Sequence, residues 1–190
     1  MRTLLFLAGS TLRSSVNNRL STAAAELARE RFLGRLAVES VDLMEYDLPP
    51  IDLGVVNDQS LQAMIEVFAR ADGFFVSADE YTGAFSTQIR LAVNWLMLTE
   101  TEQRALIAGK PAALVGAAPM GVGGMRGFPA LRHLLAAAGM EVLPQQLRPG
   151  TQGSPLDRSG RLLATSEEQL MSGALGELVD RIAELEKCSG

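Results

Sequence analysis

An α/β fold is predicted by short apolar runs, by helical periodicity between those runs, and by a globular composition. Hydrophobic residues make up 47% of the 190 residues and charged residues 21%, as in a folded domain. The apolar runs are typical of strands buried on both faces, and the amphipathic segments between them are typical of covering helices. We therefore expect a single domain over residues 1–190, built on a parallel sheet with helices on both faces.

The first half of the chain contains three predicted strands and two predicted helices. The strands are the apolar runs at 4–8, 36–43 and 73–78. Apolar residues recur at helical spacing from Val16, so the first helix begins near Ser15. Pro49 and Pro50 place a surface loop after the second strand. Asp58 is the expected N-cap of the helix that leads to the third strand.

The second half contains two more predicted strands and three helices. We expect a helix over 84–98, a strand over 111–117, a helix with Phe128 and Leu131 facing inward, and a strand over 140–143. Residues 144–160 have Pro, Gly and Ser without periodicity, which predicts a long irregular segment. A closing helix follows, since an apolar stripe runs from Met171 to Leu185 at helical spacing.

The order of the strands in the sheet predicts where a ligand binds. Right-handed crossovers leave few arrangements for five parallel strands, and the common one is the order 2-1-3-4-5. Ligands of such sheets lie beyond the carboxyl ends of the strands, where the connections part in opposite directions. We therefore expect the loops after the first, third and fourth strands to converge on one site.

The first of these loops, residues 9–17, has the composition of a phosphate site. Its hydroxyl side chains, including Ser10 and Ser15, together with Arg13, Asn17 and the amides of a helix start, all suit an anion. The loop contains neither the G-x-G-x-x-G pattern of dinucleotide sites nor the lysine of a P-loop. A plain helix cap followed by a solvated turn is the alternative interpretation.

The other two loops have features that suit a planar ligand. In the third loop, residues 78–84, Tyr81 and Gly83 would let a flat ring approach the backbone, although Tyr81 could equally cover the sheet edge. The fourth loop, residues 118–126, has glycines at 121, 123 and 124, whose unobstructed amides suit the edge of a heterocycle. A structural turn is the alternative for the fourth loop.

Charge and cysteine content exclude several classes of function. The net charge is −5 and no run concentrates Lys and Arg, which disfavours nucleic acid and anionic membranes as partners. No apolar run approaches the roughly 20 residues that span a bilayer. The single cysteine, Cys188, and the single histidine exclude an internal disulfide and a structural zinc site. We expect a cytoplasmic protein without a metal.

Taken together, the three loops resemble the NADPH-dependent FMN reductase family of flavodoxin-like proteins, which includes quinone, azo-dye and chromate reductases. The first loop is similar to G-S-x-R-x-x-S-x-N at Gly9, Ser10, Ser15 and Asn17, with Arg13 displaced by one position. The third loop is similar to P-E-Y-N-G-S at Glu80, Tyr81 and Gly83. The fourth loop is similar to P-G-G-x-G-G-x-R at Pro119, Gly121, Gly123, Gly124 and Arg126.

The resemblance implies a flavodoxin-like three-layer sandwich that binds FMN across the three loops. In the family the matching first-loop residues, here Ser10, Arg13, Ser15 and Asn17, hold the FMN phosphate. The remaining cofactor-binding candidates are Glu80, Tyr81, Gly83, Pro119, Gly121, Gly123 and Gly124. The implied activity is ping-pong transfer from NADPH, or NADH, through the flavin to a quinone, azo dye, flavin or metal oxyanion. Chemistry resides on the flavin, and no catalytic side chain is expected.

The resemblance also implies a dimer or tetramer, in which the helix carrying Trp95 helps to form the interface. Trp95 and its apolar neighbours would form an exposed patch if the sheet left them uncovered. The third loop departs from the family pattern at Asp79, Thr82, Ser86, Thr87 and Leu91. A second hypothesis follows from Asp79, because a carboxylate near a flavin opposes its reduction. On that hypothesis the chain is a flavin-binding or flavin-free regulatory protein without efficient turnover.

Overall fold

Five parallel strands form one sheet at the centre of the molecule. The computed structural model describes residues 1–12, 14–80, 83–100, 105–117, 126–147 and 155–189. The strands are β1 (Arg2–Ala8), β2 (Leu36–Asp42), β3 (Gly73–Ser77), β4 (Pro111–Val115) and β5 (Glu141–Leu147). Their order is β2-β1-β3-β4-β5, and every neighbouring pair is parallel. The predicted flavodoxin-like arrangement is confirmed.

Helices cover both faces of the sheet and bury two separate apolar cores. They are α1 (Val16–Arg31), α2 (Gln59–Arg70), α3 (Thr87–Thr99), α4 (Gly127–Ala137) and α5 (Thr165–Ser189). Side chains alternate along β1, so that Leu5 and Leu7 pack with α2, α3 and α4, whereas Leu4 and Phe6 pack with α1 and α5. Within the described residues, no helix combines the length and apolar character needed to cross a membrane.

Polar side chains fix where three of the helices begin. Ser15 caps α1 and Asp58 caps α2, with the Asp58 carboxylate accepting from Leu61 N at 2.9 Å. Both predicted starts are therefore confirmed. Helix α3 begins later than the predicted residue 84, because the Ser86 hydroxyl accepts from Ile89 N and makes Ser86 the cap.

The fifth strand is longer than predicted. The sequence predicts a strand over 140–143 and an irregular segment from Pro144, but β5 runs from Glu141 to Leu147. Proline is tolerated here because β5 is the edge strand and its pairing with β4 shifts register between Ala112 and Leu114. The prediction that residues 144–147 belong to an irregular segment was wrong for this reason.

Trp95 belongs to the core rather than to an exposed patch. Its indole is fully buried, and Nε1 donates to the carbonyl of Pro49 at 2.8 Å. The indole therefore fastens the loop after β2 to α3. Met97 and Leu98 are the large apolar side chains that α3 exposes, at 45% and 50%. Self-association through α3 stays a prediction, and it would use these two residues.

Candidate functional site

The described parts of the first, third and fourth loops lie side by side at the carboxyl edge of the sheet. Backbone hydrogen bonds continue across the sheet just beyond the strands. Gly9 N donates to Ser77 O at 3.0 Å, and Ala78 N donates to Val115 O at 3.1 Å. Because β1 lies between β2 and β3, the chain leaves this edge towards opposite faces, which is the usual place for a ligand.

The most unusual feature of this edge is a buried carboxylate surrounded by the donors of the first loop. The carboxylate of Asp79 accepts hydrogen bonds from Ser10 Oγ, from Ser15 Oγ at 2.8 Å and from Asn17 Nδ2. Asp79 is only 8% exposed, and Ser10 and Asn17 are completely buried or nearly so. We call these four residues the Asp79 cluster. Three of them are predicted phosphate ligands.

Asn17 also joins the first loop to the ends of two strands. Its Nδ2 donates to Ala117 O at 2.9 Å, and its Oδ1 accepts from Ala117 N at 2.7 Å. The Ser77 hydroxyl donates to the backbone carbonyl of Asn17 at 2.8 Å. Asn17 N in turn donates to Ser15 Oγ at 3.0 Å, which is the cap of α1. Asn17 therefore joins the first loop to the end of β3 through its backbone carbonyl and to the residues after β4 through its side-chain amide.

The donors of the cluster are of the types that bind phosphate, but their hydrogen bonds are accepted by the carboxylate of Asp79. Two hydroxyls, a side-chain amide and the start of a long helix are groups that bind phosphate in proteins. A hydroxyl has only one hydrogen to donate. Both hydroxyls donate to Asp79, and Ser10 Oγ also lies 3.3 Å from the carbonyl oxygen of Leu12. The phosphate of FMN does not fit among these donors while Asp79 stays in this position.

Glu80, a predicted cofactor ligand, connects the third loop to α4. Its Oε2 accepts from Arg126 N at 3.1 Å and from Gly127 N at 3.0 Å. The carboxylate therefore caps the start of α4, where a negative charge also interacts favourably with the helix dipole. Direct contact between Glu80 and a cofactor stays a prediction.

We expect Glu80→Ala to lower the free energy of unfolding by about 1 kcal/mol, because two amides at the start of α4 lose their acceptor. Urea denaturation followed by circular dichroism measures the change. Glu30→Ala is the control, since Glu30 is exposed on α1, and it should change stability by less than about 0.5 kcal/mol. Equal effects of the two substitutions would contradict the capping role.

Two glycines allow the loops to pack closely. Gly83 has φ of +82°, a conformation that favours glycine, and a Cβ there would make an ordinary contact, 3.4 Å from Cδ of Arg126. At Gly116 a Cβ would lie 2.7 Å from the Ala78 carbonyl oxygen and 2.8 Å from Cζ of Phe128. The third loop therefore rests directly on the segment that follows β4 and on the start of α4.

Several predicted ligands lie outside the described residues, so their roles stay predictions. They are Arg13, Tyr81, Pro119, Gly121, Gly123 and Gly124. Sequence reasoning identified Ser10, Ser15 and Asn17 but not their shared partner. It also missed Ser86, whose hydroxyl donates to the backbone carbonyl of Gly9. A polar signal for Asp79 did exist, because it is an acidic residue placed directly after a fully buried strand.

Solved structures of other proteins share this fold over nearly their whole length. FerB, a flavoenzyme NAD(P)H:(acceptor) oxidoreductase from Paracoccus denitrificans, aligns with a TM-score of 0.77 at 21% identity, covering 97% of this chain and 98% of FerB. An oxidoreductase from Corynebacterium diphtheriae aligns at 0.74 and 19% identity, covering 97% and 98%. An FMN-dependent NADH-azoreductase from Bacillus anthracis, in complex with FMN, aligns at 0.58 and 15% identity, covering 97% and 99%.

The fold is that of a flavodoxin-like α/β protein. At the carboxyl ends of its strands lies a set of hydrogen-bond donors of the kind that bind anions. The sequence profile of NADPH-dependent FMN reductases matches residues 1–151. The chain belongs to that family of FMN-dependent NAD(P)H oxidoreductases. No curated protein matches the sequence.

Proposed function

We propose that this chain oxidises NADPH, or NADH, and passes the electrons through a flavin at the carboxyl edge to a small acceptor. The acceptor classes are quinones, azo dyes, free flavin and metal oxyanions, and the kinetics are ping-pong. Ser10, Arg13, Ser15 and Asn17 are the proposed ligands of the flavin's side chain. A bound flavin supplies the hydride chemistry, so the task of the chain is to bind the flavin and to orient it and the two substrates.

One observation supports this proposal above the others, which is that the first and third loops meet around a buried donor set beside the ends of β3 and β4. Ser10, Ser15 and Asn17 come from the first loop, and the Asn17 amide is paired with Ala117 at the start of the fourth. Glu80 of the third loop accepts from Arg126 N, at the end of the fourth loop, and from Gly127 N at the start of α4. Such an edge is organised before any ligand arrives, which lowers the entropy lost on binding.

The test is steady-state NADPH oxidation by the purified chain with added flavin and a soluble quinone. We expect turnover that requires protein, flavin and quinone together, and parallel double-reciprocal lines when NADPH and quinone are both varied. Oxidation no faster than that of a mixture without protein would overturn the proposal. Intersecting lines would overturn only the ping-pong mechanism.

Gly83→Ala is expected to lower kcat/KM at least about tenfold, because a side chain at this positive φ strains the backbone, and relief of that strain displaces the third loop and misplaces bound reactants. Gly34→Ala is a matched control. Both glycines have a positive φ, +82° and +75°, so both substitutions strain the backbone. The two positions differ in their place in the fold, since Gly34 precedes β2 at the opposite edge of the sheet. Equal losses of kcat/KM in the two variants would contradict the assignment of the third loop to the active site.

A second candidate function is favoured by the Asp79 cluster itself. The Asp79 carboxylate accepts hydrogen bonds from the donors of the first loop. The first loop therefore does not need a cofactor to become ordered. The chain would then be a regulatory protein, flavin-binding or flavin-free, without efficient turnover. Failure to oxidise NADPH, combined with a stable fold in the absence of flavin, is the result that this second candidate requires.

We further propose that residues 1–190 act as one flavin-binding domain in the cytoplasm, and that the chain self-associates into a dimer or tetramer. The exposed apolar side chains of Met97 and Leu98 on α3 support an interface on that helix. Met97→Glu should then lower the mass measured by sedimentation equilibrium. An unchanged mass in a chain that does self-associate would place the interface elsewhere.

A further inference from the structure

The side chain of Asp79 stands where the first-loop donors would otherwise hold a phosphate. Its two oxygens accept from the hydroxyls of Ser10 and Ser15 and from the Asn17 amide. The cluster lies beneath the surface, since Ser10 is fully buried and Asp79 is 8% exposed. The Asp79 carboxylate therefore already accepts the hydrogen bonds that a bound phosphate would need.

A phosphate and a hydroxyl group differ in how they can approach this cluster. A phosphate monoester has a charge of about −1.5 to −2 at neutral pH and presents mainly acceptor oxygens. Beside Asp79 it meets a like charge and competes for the same hydrogens. A hydroxyl group is uncharged and can donate a hydrogen bond to a carboxylate. A flavin whose side chain ends in a hydroxyl group is therefore compatible with Asp79 in place.

We propose that Asp79 is a specificity residue that makes this chain select riboflavin, the flavin without a phosphate, over FMN. The inference rests on the function proposed above and specifies the class of flavin that the site accepts. Asp79 belongs to the third loop and accepts from Ser10 and Ser15 of the first loop, so it joins the two loops. The carboxylate thus accepts the hydrogen bonds that a bound phosphate would otherwise accept.

The experiment compares the affinities of riboflavin and FMN for the wild-type chain and for Asp79→Asn, measured by quenching of flavin fluorescence. Asparagine has the shape of aspartate without its charge, and the rotating hydroxyl of Ser10 can accept from the new amide. We expect riboflavin to bind the wild-type chain more tightly than FMN. The substitution removes the like charge beside the phosphate, so it should raise FMN affinity about ten- to a hundredfold and change riboflavin affinity less than about threefold.

Asp79→Ala and Asp180→Asn complete the comparison. Alanine leaves all three donors open, so it should raise FMN affinity in the same direction as asparagine, even if one of the two variants is poorly folded. Asp180 is an exposed residue of α5 that pairs with Arg35 at 3.8 Å, near the opposite edge of the sheet. Its substitution removes the same unit of charge and should leave both affinities unchanged. A matching gain in Asp180→Asn would overturn the inference by assigning the effect to net charge.

Inorganic phosphate provides a readout that needs no flavin. Millimolar phosphate should raise the melting temperature of Asp79→Ala above that seen in chloride of equal ionic strength, and should not do so for the wild-type chain. Wild-type preference for FMN, or FMN affinity unchanged in both Asp79 variants, would overturn the inference while leaving the proposed function intact. If no variant binds either flavin, the proposed function fails and flavin selection fails with it. A rise in melting temperature with phosphate that is confined to Asp79→Ala would in that case still support an anion site at the donors.

Discussion

Asn17→Ala is expected to lower the free energy of unfolding by about 2–4 kcal/mol, an effect large enough to unfold a marginal domain. Asn17 is 1% exposed, and its amide accepts from Ala117 N and donates to Ala117 O. Alanine would leave both backbone groups buried without their partner, and each such loss amounts to about 1–3 kcal/mol. It would also remove a donor from Asp79. Urea denaturation measures the loss.

The neighbouring asparagine is a matched control for this prediction. Asn18 is partly exposed, and the hydrogen bonds that its Nδ2 makes to described residues are long, at 3.5 Å to Leu12 O and 3.3 Å to Asp42 Oδ2. Its Oδ1 is buried without a hydrogen-bond partner within the part of the chain that the structure describes. Asn18→Ala should therefore change stability by less than about 1 kcal/mol. Similar losses at both positions would mean that Asn17 does not join the loops.

Trp95→Ala is expected to have the largest effect on stability, about 3–5 kcal/mol, because it removes a large, fully buried side chain. The substitution also leaves the Pro49 carbonyl without the indole donor that lies 2.8 Å away. The loop after β2 should loosen, and limited proteolysis within residues 47–56 should become faster. Thermal or urea unfolding of the variant, compared with the wild-type chain, gives the magnitude.

Met97→Ala separates a core role from an interface role on the same helix. Met97 is 45% exposed and two residues from Trp95, so its truncation should change monomer stability by less than about 1 kcal/mol. If Trp95 instead lay in a subunit interface, its substitution would change the oligomeric state more than the stability at low protein concentration. That result would contradict the position of the indole in the core.

The sequence predicts most of the fold because buried parallel strands are unambiguous apolar runs. Residues 73–77 are buried on both faces, and the caps Ser15 and Asp58 are marked by residue type. Pro144 was misleading, since a local rule ends a strand at proline whereas the edge position and the register shift of β5 tolerate it. Only the tertiary pairing of β4 and β5 decides between these outcomes.

The candidate site was only half predictable for a related reason. Ser10, Ser15 and Asn17 are close in sequence and form a recognisable donor set. Their acceptor, Asp79, is 69 residues from Ser10, and no periodicity or spacing connects the two. Asp79 was noticed as a departure from the family pattern and as a charge near a flavin. Its place among the phosphate donors follows only from the way in which the first and third loops meet.

Glu80 illustrates the same limit. Its type and position matched the family motif, which predicted a cofactor ligand. In the structure its carboxylate accepts from two amides at the start of α4, 46 and 47 residues further along the chain. A motif match identifies a residue with a role in the loop. Only the geometry shows whether that residue contacts a ligand or stabilises the fold.

The crystal structure of the chain grown with riboflavin tests the central claim most directly, which is that the carboxyl edge of the sheet holds a flavin with Asp79 in place. We expect electron density for the flavin ring against the first, third and fourth loops, with the Asp79 carboxylate still bonded to Ser10 and Ser15. An edge without flavin density at saturating riboflavin, or a flavin bound on another face of the molecule, would contradict it.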